Sequence, residues 1–267
     1  MAPEIQTVQT DRFSMKYFRF GEGERVFVML PGLSVQSVMG SAELICQAYA
    51  DMAEDFTVYV FDRREDMPAV YTVREMARDT AEALKCLGLS GTYVFGASQG
   101  GMMALVMAIE YPELVRKMVL GSTSAHVQDT QYKTLLTWAK LAKEKDTEAL
   151  YLAFREEIYP PEVFAQFKDA LIAAAKTVTD EDLARFITLV EGTKGFDVTG
   201  ELHRIQCPVM AIGVYEDAVL DADATMEIAE ALDCRRDFKL FMYIGYGHAA
   251  FDTAPDYHAR MREFFLK

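Results

Sequence analysis

Residues 92–110 read TYVFGASQGGMMALVMAIE, a strand-like run joined by a glycine-containing turn to a helical pattern. The first four, Thr92–Phe95, are rich in β-branched and aromatic side chains and predict a short buried strand. Residues Gln99–Glu110 predict a helix, so Gly96-Ala-Ser98-Gln-Gly100 stands at the turn between them. Ser98 in this G-x-S-x-G context is a candidate nucleophile, because small neighbours allow a sharp turn on which Oγ protrudes.

Short apolar runs alternate with helical patterns over most of the chain. The predicted strands are Arg25–Leu30, Thr57–Phe61, Thr92–Phe95, Lys117–Leu120, Pro208–Gly213 and Phe238–Ile244. The predicted helices are Ser37–Glu54, Thr72–Leu87, Gln99–Glu110, Ala222–Leu232 and Ala254–Phe265. Because strand, helix and strand follow in this order, the strands are expected to pair in parallel through right-handed crossovers. The predicted fold class is α/β, with a mostly parallel, doubly wound sheet.

Residues 123–200 interrupt this alternation with helical patterns and no convincing strand. The predicted helices are Asp129–Lys145, Thr147–Ile158, Pro161–Lys176 and Asp180–Glu191. We therefore expect a core made of residues 1–122 and 201–267, with residues 123–200 inserted as a helical cap. Such a cap would cover the carboxyl edge of the sheet, where open α/β sheets place their sites.

The chain is acidic, since 27 Lys and Arg against 41 Asp and Glu give a net charge of −14. Such a surface repels phosphate backbones and anionic membranes, so neither nucleic acid nor a membrane is an expected partner. The N-terminus lacks the pattern of a secretory signal, and no run of roughly 18 apolar residues predicts a membrane span. The four cysteines form neither a CxxC pair nor a Cys/His cluster, so we expect a cytoplasmic protein without metal or other cofactor.

A serine hydroxyl needs a neighbouring base, and the chain offers four histidines. His248 lies in Gly245-Tyr-Gly-His-Ala-Ala-Phe251, directly after the last predicted strand, where a glycine-containing loop can bring the imidazole back over Ser98. His258 falls within the closing helix, and His203 precedes a strand, so both are expected to pack rather than react. His126 follows a predicted strand at the cap junction and is a candidate for contact with substrate.

These motifs resemble the α/β-hydrolase superfamily, in the branch with a helical cap after the sixth strand. That branch includes enol-lactone hydrolases, small carboxylesterases, proline iminopeptidases and cofactor-free haloperoxidases. The resemblance covers essentially the whole chain, most clearly Arg25–Ser124 and Gly195–Phe265. It implies an oxyanion hole made by the backbone N–H groups of Gln99 and Leu33, although Pro31-Gly32 here replaces the family's common His-Gly.

In this fold the acidic member lies between serine and histidine along the chain. The resemblance implies Asp217, after strand Pro208–Gly213, as the residue that accepts a hydrogen bond from Nδ1–H of His248 and so orients the imidazole. Tyr215 stands where the family usually has glycine, which leaves Glu216 and Asp221 as alternatives. The loop Asp62-Arg-Arg64 also resembles a family loop, but Glu65 follows where glycine is usual, and the sequence assigns no role to this change.

These residues predict a serine hydrolase that cleaves a small carboxylic ester or lactone through an acyl-enzyme. Aromatic side chains of the cap, Trp138 among them, predict an apolar acyl pocket. An aminopeptidase of the proline iminopeptidase type is an alternative, with an anchor from Glu156, Glu157 or Glu162. A carbon–carbon hydrolase or lyase with the same triad and a non-catalytic ligand-binding protein also stay open, as does the oligomeric state.

Overall fold

A computed structural model describes residues 2–267, apart from the side chain of Phe167. Within this range, strands form one sheet in the order β1-β2-β4-β3-β5-β6-β7-β8. The strands are β1 (Ile5–Gln9), β2 (Ser14–Phe20), β3 (Arg25–Leu30), β4 (Phe56–Arg64), β5 (Thr92–Ala97), β6 (Val115–Gly121), β7 (Val209–Val214) and β8 (Phe238–Tyr243). The pairs from β4 to β8 are parallel, whereas β1 and β2 join one edge in antiparallel register. The predicted mostly parallel α/β fold is confirmed.

The helices are α1 (Ala42–Ala48), α2 (Val73–Cys86), α3 (Gln99–Glu110), α4 (Asp129–Lys143), α5 (Thr147–Ile158), α6 (Pro161–Ala175), α7 (Asp180–Glu191), α8 (Asp221–Leu232), α9 (Ala250–Thr253) and α10 (Tyr257–Leu266). Helix α3 is apolar almost all round and is buried from Gln99 to Ile109, as its sequence requires. No helix in the described part of the chain is both long and apolar enough to cross a membrane.

The bounds of two predicted helices, Ser37–Glu54 and Ala254–Phe265, are wrong. The pattern Ser37–Glu54 contains only the short helix α1, flanked by 3-10 turns at Val38–Ser41 and Met52–Glu54. The Ser37 hydroxyl accepts a hydrogen bond from the N–H of Met39, and this local bond favours the tighter turn. The closing helix, predicted from Ala254, begins at Tyr257 instead, because Ala254 precedes Pro255 and is extended, as proline favours in its predecessor; the short helix α9 lies before it.

Helices α4 to α7 lie between β6 and β7 in the chain and pack on one another. We call residues 123–200 the helical insertion. Its interior holds Trp138 edge-on to Phe154, with ring centroids 4.7 Å apart, and Phe154 in turn 5.9 Å from Phe186. That the insertion acts as a cap with these boundaries stays a prediction.

The sheet order reverses between β3 and β5, since the chain adds β4 on one side of β3 and β5 on the other. Open α/β sheets bind ligands at the carboxyl ends of the strands beside such a switch point. The loop that begins at Pro31 leaves β3 at this place, and Ser98 follows β5 directly. The topology therefore brings the predicted nucleophile and the predicted oxyanion loop to the same edge.

Candidate active site

Ser98 occupies a strained turn between β5 and α3. Its backbone has φ 51° and ψ −121°, a conformation that a non-glycine residue adopts only when its surroundings enforce it. The N–H of Ser98 donates to the Gly121 carbonyl at 2.8 Å, and the Thr123 hydroxyl donates to the Ser98 carbonyl at 2.6 Å. A Cβ on Gly100 would lie 1.9 Å from the carbonyl oxygen of Leu30, so only glycine fits there. These contacts hold the serine at the rim of the sheet.

His248 and Asp217 lie in direct contact. The Nδ1 atom of His248 is 2.9 and 2.8 Å from the two carboxylate oxygens of Asp217, and both residues are buried. The same carboxylate accepts hydrogen bonds from the N–H groups of Val219 and Leu220, at 2.9 and 3.0 Å. Burial alone would raise the pKa of Asp217, but His248 and these donors outweigh it and lower that pKa. An ionised Asp217 can therefore accept a hydrogen bond from the Nδ1–H group of His248.

The loop that carries His248 is fastened to the helical insertion. The N–H of Ala249 donates to the carbonyl of Ile158, the last residue of α5, at 3.2 Å. Gly247 has φ +66°, and a Cβ there would lie 2.8 Å from the same carbonyl. Only glycine satisfies both the left-handed backbone and this close approach.

Ser98 and His248 line one cavity of about 700 Å³. Among the described residues, no hydrogen bond joins Ser98 Oγ to the imidazole. Catalytic hydrogen bonds are often long or poorly aligned without substrate and tighten when substrate binds. The link between the two residues in this structure is therefore the cavity that both of them line. The two alternatives to Asp217 lie elsewhere: Glu216 accepts from the N–H of Gly245 at 2.7 Å, and Asp221 accepts from Ala224 at 3.3 Å.

The predicted oxyanion donors lie beside the serine. Gln99 is the first residue of α3, where the helix dipole is positive, and a Cβ on Gly32 would lie 3.2 Å from the Cβ of Ser98. Leu33 and Gln99 both line the cavity. In the described part of the chain, the backbone N–H groups of these two residues donate to no protein acceptor. Their role as oxyanion donors stays a prediction.

The rest of the cavity wall comes mainly from the helical insertion and from the segment after β3, residues 31–41. The larger apolar side chains that the insertion contributes are Leu135, Trp138, Tyr151, Phe154, Ile158 and Leu171. Polar groups on the wall include Gln36, Arg155, Asp182 and Asp252. Trp138 thus lines the cavity, and its contact with substrate stays a prediction.

His126 is not among the described residues that line the cavity. Its backbone forms an isolated antiparallel bridge with Asp197, and its carbonyl accepts a hydrogen bond from the Ser124 hydroxyl. These bonds tie the segment after β6 to the chain entering the second half of the core. The substrate contact predicted for His126 has no support in this geometry.

Several side chains near the site had no role assigned from the sequence. Asp62 is buried and pairs with Arg185 of α7, while Arg63 is buried behind the loop that begins at Pro31. Tyr159 donates to Asp252 at 2.8 Å at another part of the cavity wall. The sequence marks Asp62 and Arg63 only as part of an Asp-Arg-Arg run after a predicted hydrophobic strand. This run does not reveal which residues they contact.

A family model described as "alpha/beta hydrolase fold" matches residues 25–255. The chain belongs to this family and is a hydrolase.

Among its relatives is the protein named "Putative carbamate hydrolase RutD" of Pseudomonas savastanoi, 26% identical over 81% of this chain and 85% of that protein. Serine hydrolase BPHL of Mus musculus is 29% identical over 51% of this chain and 50% of that protein. A solved structure of the enol-lactonase from Burkholderia xenovorans LB400 is similar, with a TM-score of 0.84 at 15% identity over 98% of this chain and 100% of that one. MGS-M2, an α/β-hydrolase enzyme from a Medee basin deep-sea metagenome library, gives a TM-score of 0.86 at 20% identity over 98% of each chain.

Proposed function

We propose that the protein hydrolyses a small carboxylic ester or lactone through an acyl-enzyme. Ser98 is the nucleophile, His248 the general base and Asp217 the group that orients the imidazole. The observation that carries this proposal is the buried contact between His248 and Asp217, because His248 lines the same cavity as Ser98 with its strained backbone. A buried imidazole held by a carboxylate beside a protruding hydroxyl is the arrangement that acyl transfer needs.

In the first half of the reaction, Ser98 Oγ attacks the carbonyl carbon while His248 Nε2 takes the hydroxyl proton. The negative charge that develops on the carbonyl oxygen is held by the N–H groups of Gln99 and Leu33. Donors fixed in advance by a helix start and a loop need no reorganisation when that charge appears. His248 then gives its proton to the leaving alkoxide, and the acyl group remains on Ser98.

In the second half, a water molecule takes the place of the alcohol. His248 removes a proton from the water, which attacks the acyl carbon, and then returns a proton to Ser98 Oγ. Asp217 keeps the imidazole in the tautomer with the proton on Nδ1 and stabilises the imidazolium in both halves. The products are a carboxylic acid and an alcohol, joined in one molecule when the substrate is a lactone.

The substrate is expected to be of moderate size. Residues 123–200 form the cap of a core made of residues 1–122 and 201–267, and its apolar wall receives the acyl group. A cavity of about 700 Å³ lies within the usual range for small-molecule sites. The four cysteines are unpaired, which supports a cytoplasmic location.

The aminopeptidase alternative loses the anchor that suggested it. Glu156, Glu157 and Glu162 are exposed, and none is among the described residues that line the cavity. We include a carbamate among the test substrates, because it is cleaved by the same addition to a carbonyl and because the RutD relative is named a putative carbamate hydrolase.

The test compares wild type with Ser98→Ala on a panel of short p-nitrophenyl esters, a lactone, a carbamate and a proline amide. The variant should lose at least about 10⁴-fold in kcat on the preferred substrate, because attack then has no nucleophile. Ser90→Ala is the matched control, since Ser90 is exposed at the opposite end of β5. Equal turnover by wild type and Ser98→Ala would refute the proposal, and preference for the amide would move it to the aminopeptidase class.

A further inference from the structure

Arg63 is a buried cation whose side chain contacts no carboxylate. It lies at the end of β4 and is 3% exposed. Among the described residues, no carboxylate oxygen lies within ion-pair distance of its guanidinium, because the neighbouring Asp62 pairs with Arg185 and Ser37 instead. Burial lowers the pKa of Arg63 to about 10, so the group remains charged at neutral pH. A buried charge with only neutral partners is costly, and residues of this kind concentrate at functional sites.

The partners of Arg63 connect it to both halves of the proposed oxyanion hole. Its Nη2 donates to the carbonyl of Pro31 at 2.9 Å and to the side-chain oxygen of Gln99 at 2.9 Å. Pro31 begins the loop that presents the N–H of Leu33, and Gln99 presents the second N–H. One nitrogen therefore spans the two chain segments that must stay at a fixed separation to hold an oxyanion.

Gln99 is held from its other side as well. Its side-chain nitrogen donates to the carbonyl of Leu189, in α7, at 2.8 Å, and the residue is 2% exposed. The amide is thus fixed with its oxygen toward Arg63 and its nitrogen toward the helical insertion. Loss of Arg63 would leave a buried amide oxygen without this donor and free the start of α3 to shift.

We propose that Arg63 is a positioning residue of the oxyanion hole, which fixes the Leu33 and Gln99 segments against each other and places a positive charge behind them. This inference rests on the proposed function. Arg63 is not among the described residues that line the cavity, so it acts through its two partners and through its field rather than by touching substrate. A fixed charge in a water-poor environment stabilises a developing anion more than it stabilises a neutral carbonyl.

The test uses Arg63→Met and Arg63→Lys, assayed for kcat and KM on the preferred ester and for the second-order rate of labelling by a fluorophosphonate. We expect Arg63→Met to lower kcat and the labelling rate by about 10²-fold, because small displacements of catalytic groups have effects of that size. KM should change little, since the lost interaction acts on the transition state. Arg63→Lys should recover only part of the rate, because an ammonium cannot reproduce the planar guanidinium geometry.

Arg64→Met is the matched control. Arg64 is the next residue along the strand, where it pairs with Asp79 at 3.5 Å and lies over the Phe13 ring. It touches none of the proposed catalytic groups, so its loss should lower stability without changing the kcat of the folded enzyme.

Gln99→Met provides a second route to the same question, because it keeps the backbone N–H and removes the acceptor for Arg63. It should lower kcat and the labelling rate, and the double variant should lose less than the product of the two single effects.

A folded Arg63→Met enzyme with wild-type kcat and labelling rate would overturn the inference and leave the proposed function intact. If Arg63→Met does not fold, wild-type rates in Gln99→Met would overturn it. A wild type that neither turns over the panel nor accepts the probe would instead refute the proposed function, and the positioning role would fall with it.

Discussion

In the proposed mechanism the His248 imidazole must keep one orientation, and Asp217 is the carboxylate in contact with its Nδ1 atom. Two carboxylate oxygens face Nδ1, and two backbone N–H groups fix the carboxylate itself. An amide in place of this carboxylate would offer an N–H group toward Nδ1 and favour the wrong tautomer. The role of each atom in the proposed mechanism can therefore be tested by changes that preserve shape.

Asp217→Asn should lower kcat by roughly 10⁴-fold while leaving the structure intact, because Nε2 then carries the proton and cannot act as a base. Steady-state kinetics with circular dichroism as the check on folding would measure this. Glu216→Gln serves as the control, since its carboxylate bonds the Gly245 N–H instead. A loss in Glu216→Gln as large as that in Asp217→Asn would reassign the acid.

The lowered pKa of Asp217 has a consequence for stability. A carboxyl group whose pKa is lower in the folded state stabilises that state above its ordinary pKa of 3.8, and this contribution is lost as pH falls through the lowered value. Urea unfolding of wild type and Asp217→Asn between pH 2 and pH 7 should therefore show a difference in unfolding free energy that narrows below about pH 4. A difference that widens on acidification would contradict the ionised Asp217.

Gly100→Ala tests the close packing beneath the turn that carries Ser98. The added methyl group would collide with the Leu30 carbonyl, and such overpacking costs about 3 kcal/mol when backbone must move. Urea denaturation should show this loss of unfolding free energy. Gly200→Ala is the control, because a Cβ at Gly200 would have no atom within 4 Å, and it should change stability by less than about 1 kcal/mol.

At the scale of elements, α7 is one of the helices that join the insertion to the core near the cavity. Arg185 pairs with Asp62 at the end of β4 and donates to the Ser34 carbonyl at 3.2 Å. The Gln99 side chain bonds the same helix at Leu189. Movement of α7 would thus disturb the loop after β3 and the start of α3 together.

Arg185→Met should destabilise the protein by about 3 kcal/mol, because it leaves the buried Asp62 without its cation. The exposed pair between Lys143 and Glu191 also joins α4 to α7, and Lys143→Met should cost less than about 1 kcal/mol. Thermal and urea unfolding of the two variants would measure the contrast. Equal losses would mean that burial of the Asp62 pair does not matter.

Element by element, the sequence predicted what local patterns determine. Strand β5, helix α3 and the turn at Ser98 follow from residue types within one short segment. Strands β1 and β2 were missed, because β2 joins the sheet only by pairing with β4, far along the chain, and β1 joins it only through β2. The destination of Arg63 was missed for a related reason: β4 extends past the predicted Phe61 only because β2 pairs with Arg64.

At the scale of the whole molecule, an excess of 14 negative charges acts against compactness. Self-repulsion of this kind is screened by salt, since the Debye length falls from about 30 Å to below 10 Å between 10 and 200 mM. We expect the Tm to rise by a few degrees over this range of NaCl at neutral pH, an effect of roughly 1 kcal/mol. The rise should vanish near the isoelectric point, and a salt effect of equal size there would point to another cause.

The hydrogen bond from the N–H of Ala249 to the carbonyl of Ile158 links the loop that carries His248 to the helical insertion. Replacing the insertion to change selectivity would therefore also replace the backbone carbonyl that holds the His248 loop. A chimera that takes residues 158–160 together with residues 245–249 keeps both partners of this hydrogen bond matched. An exchange of the four helices alone separates them.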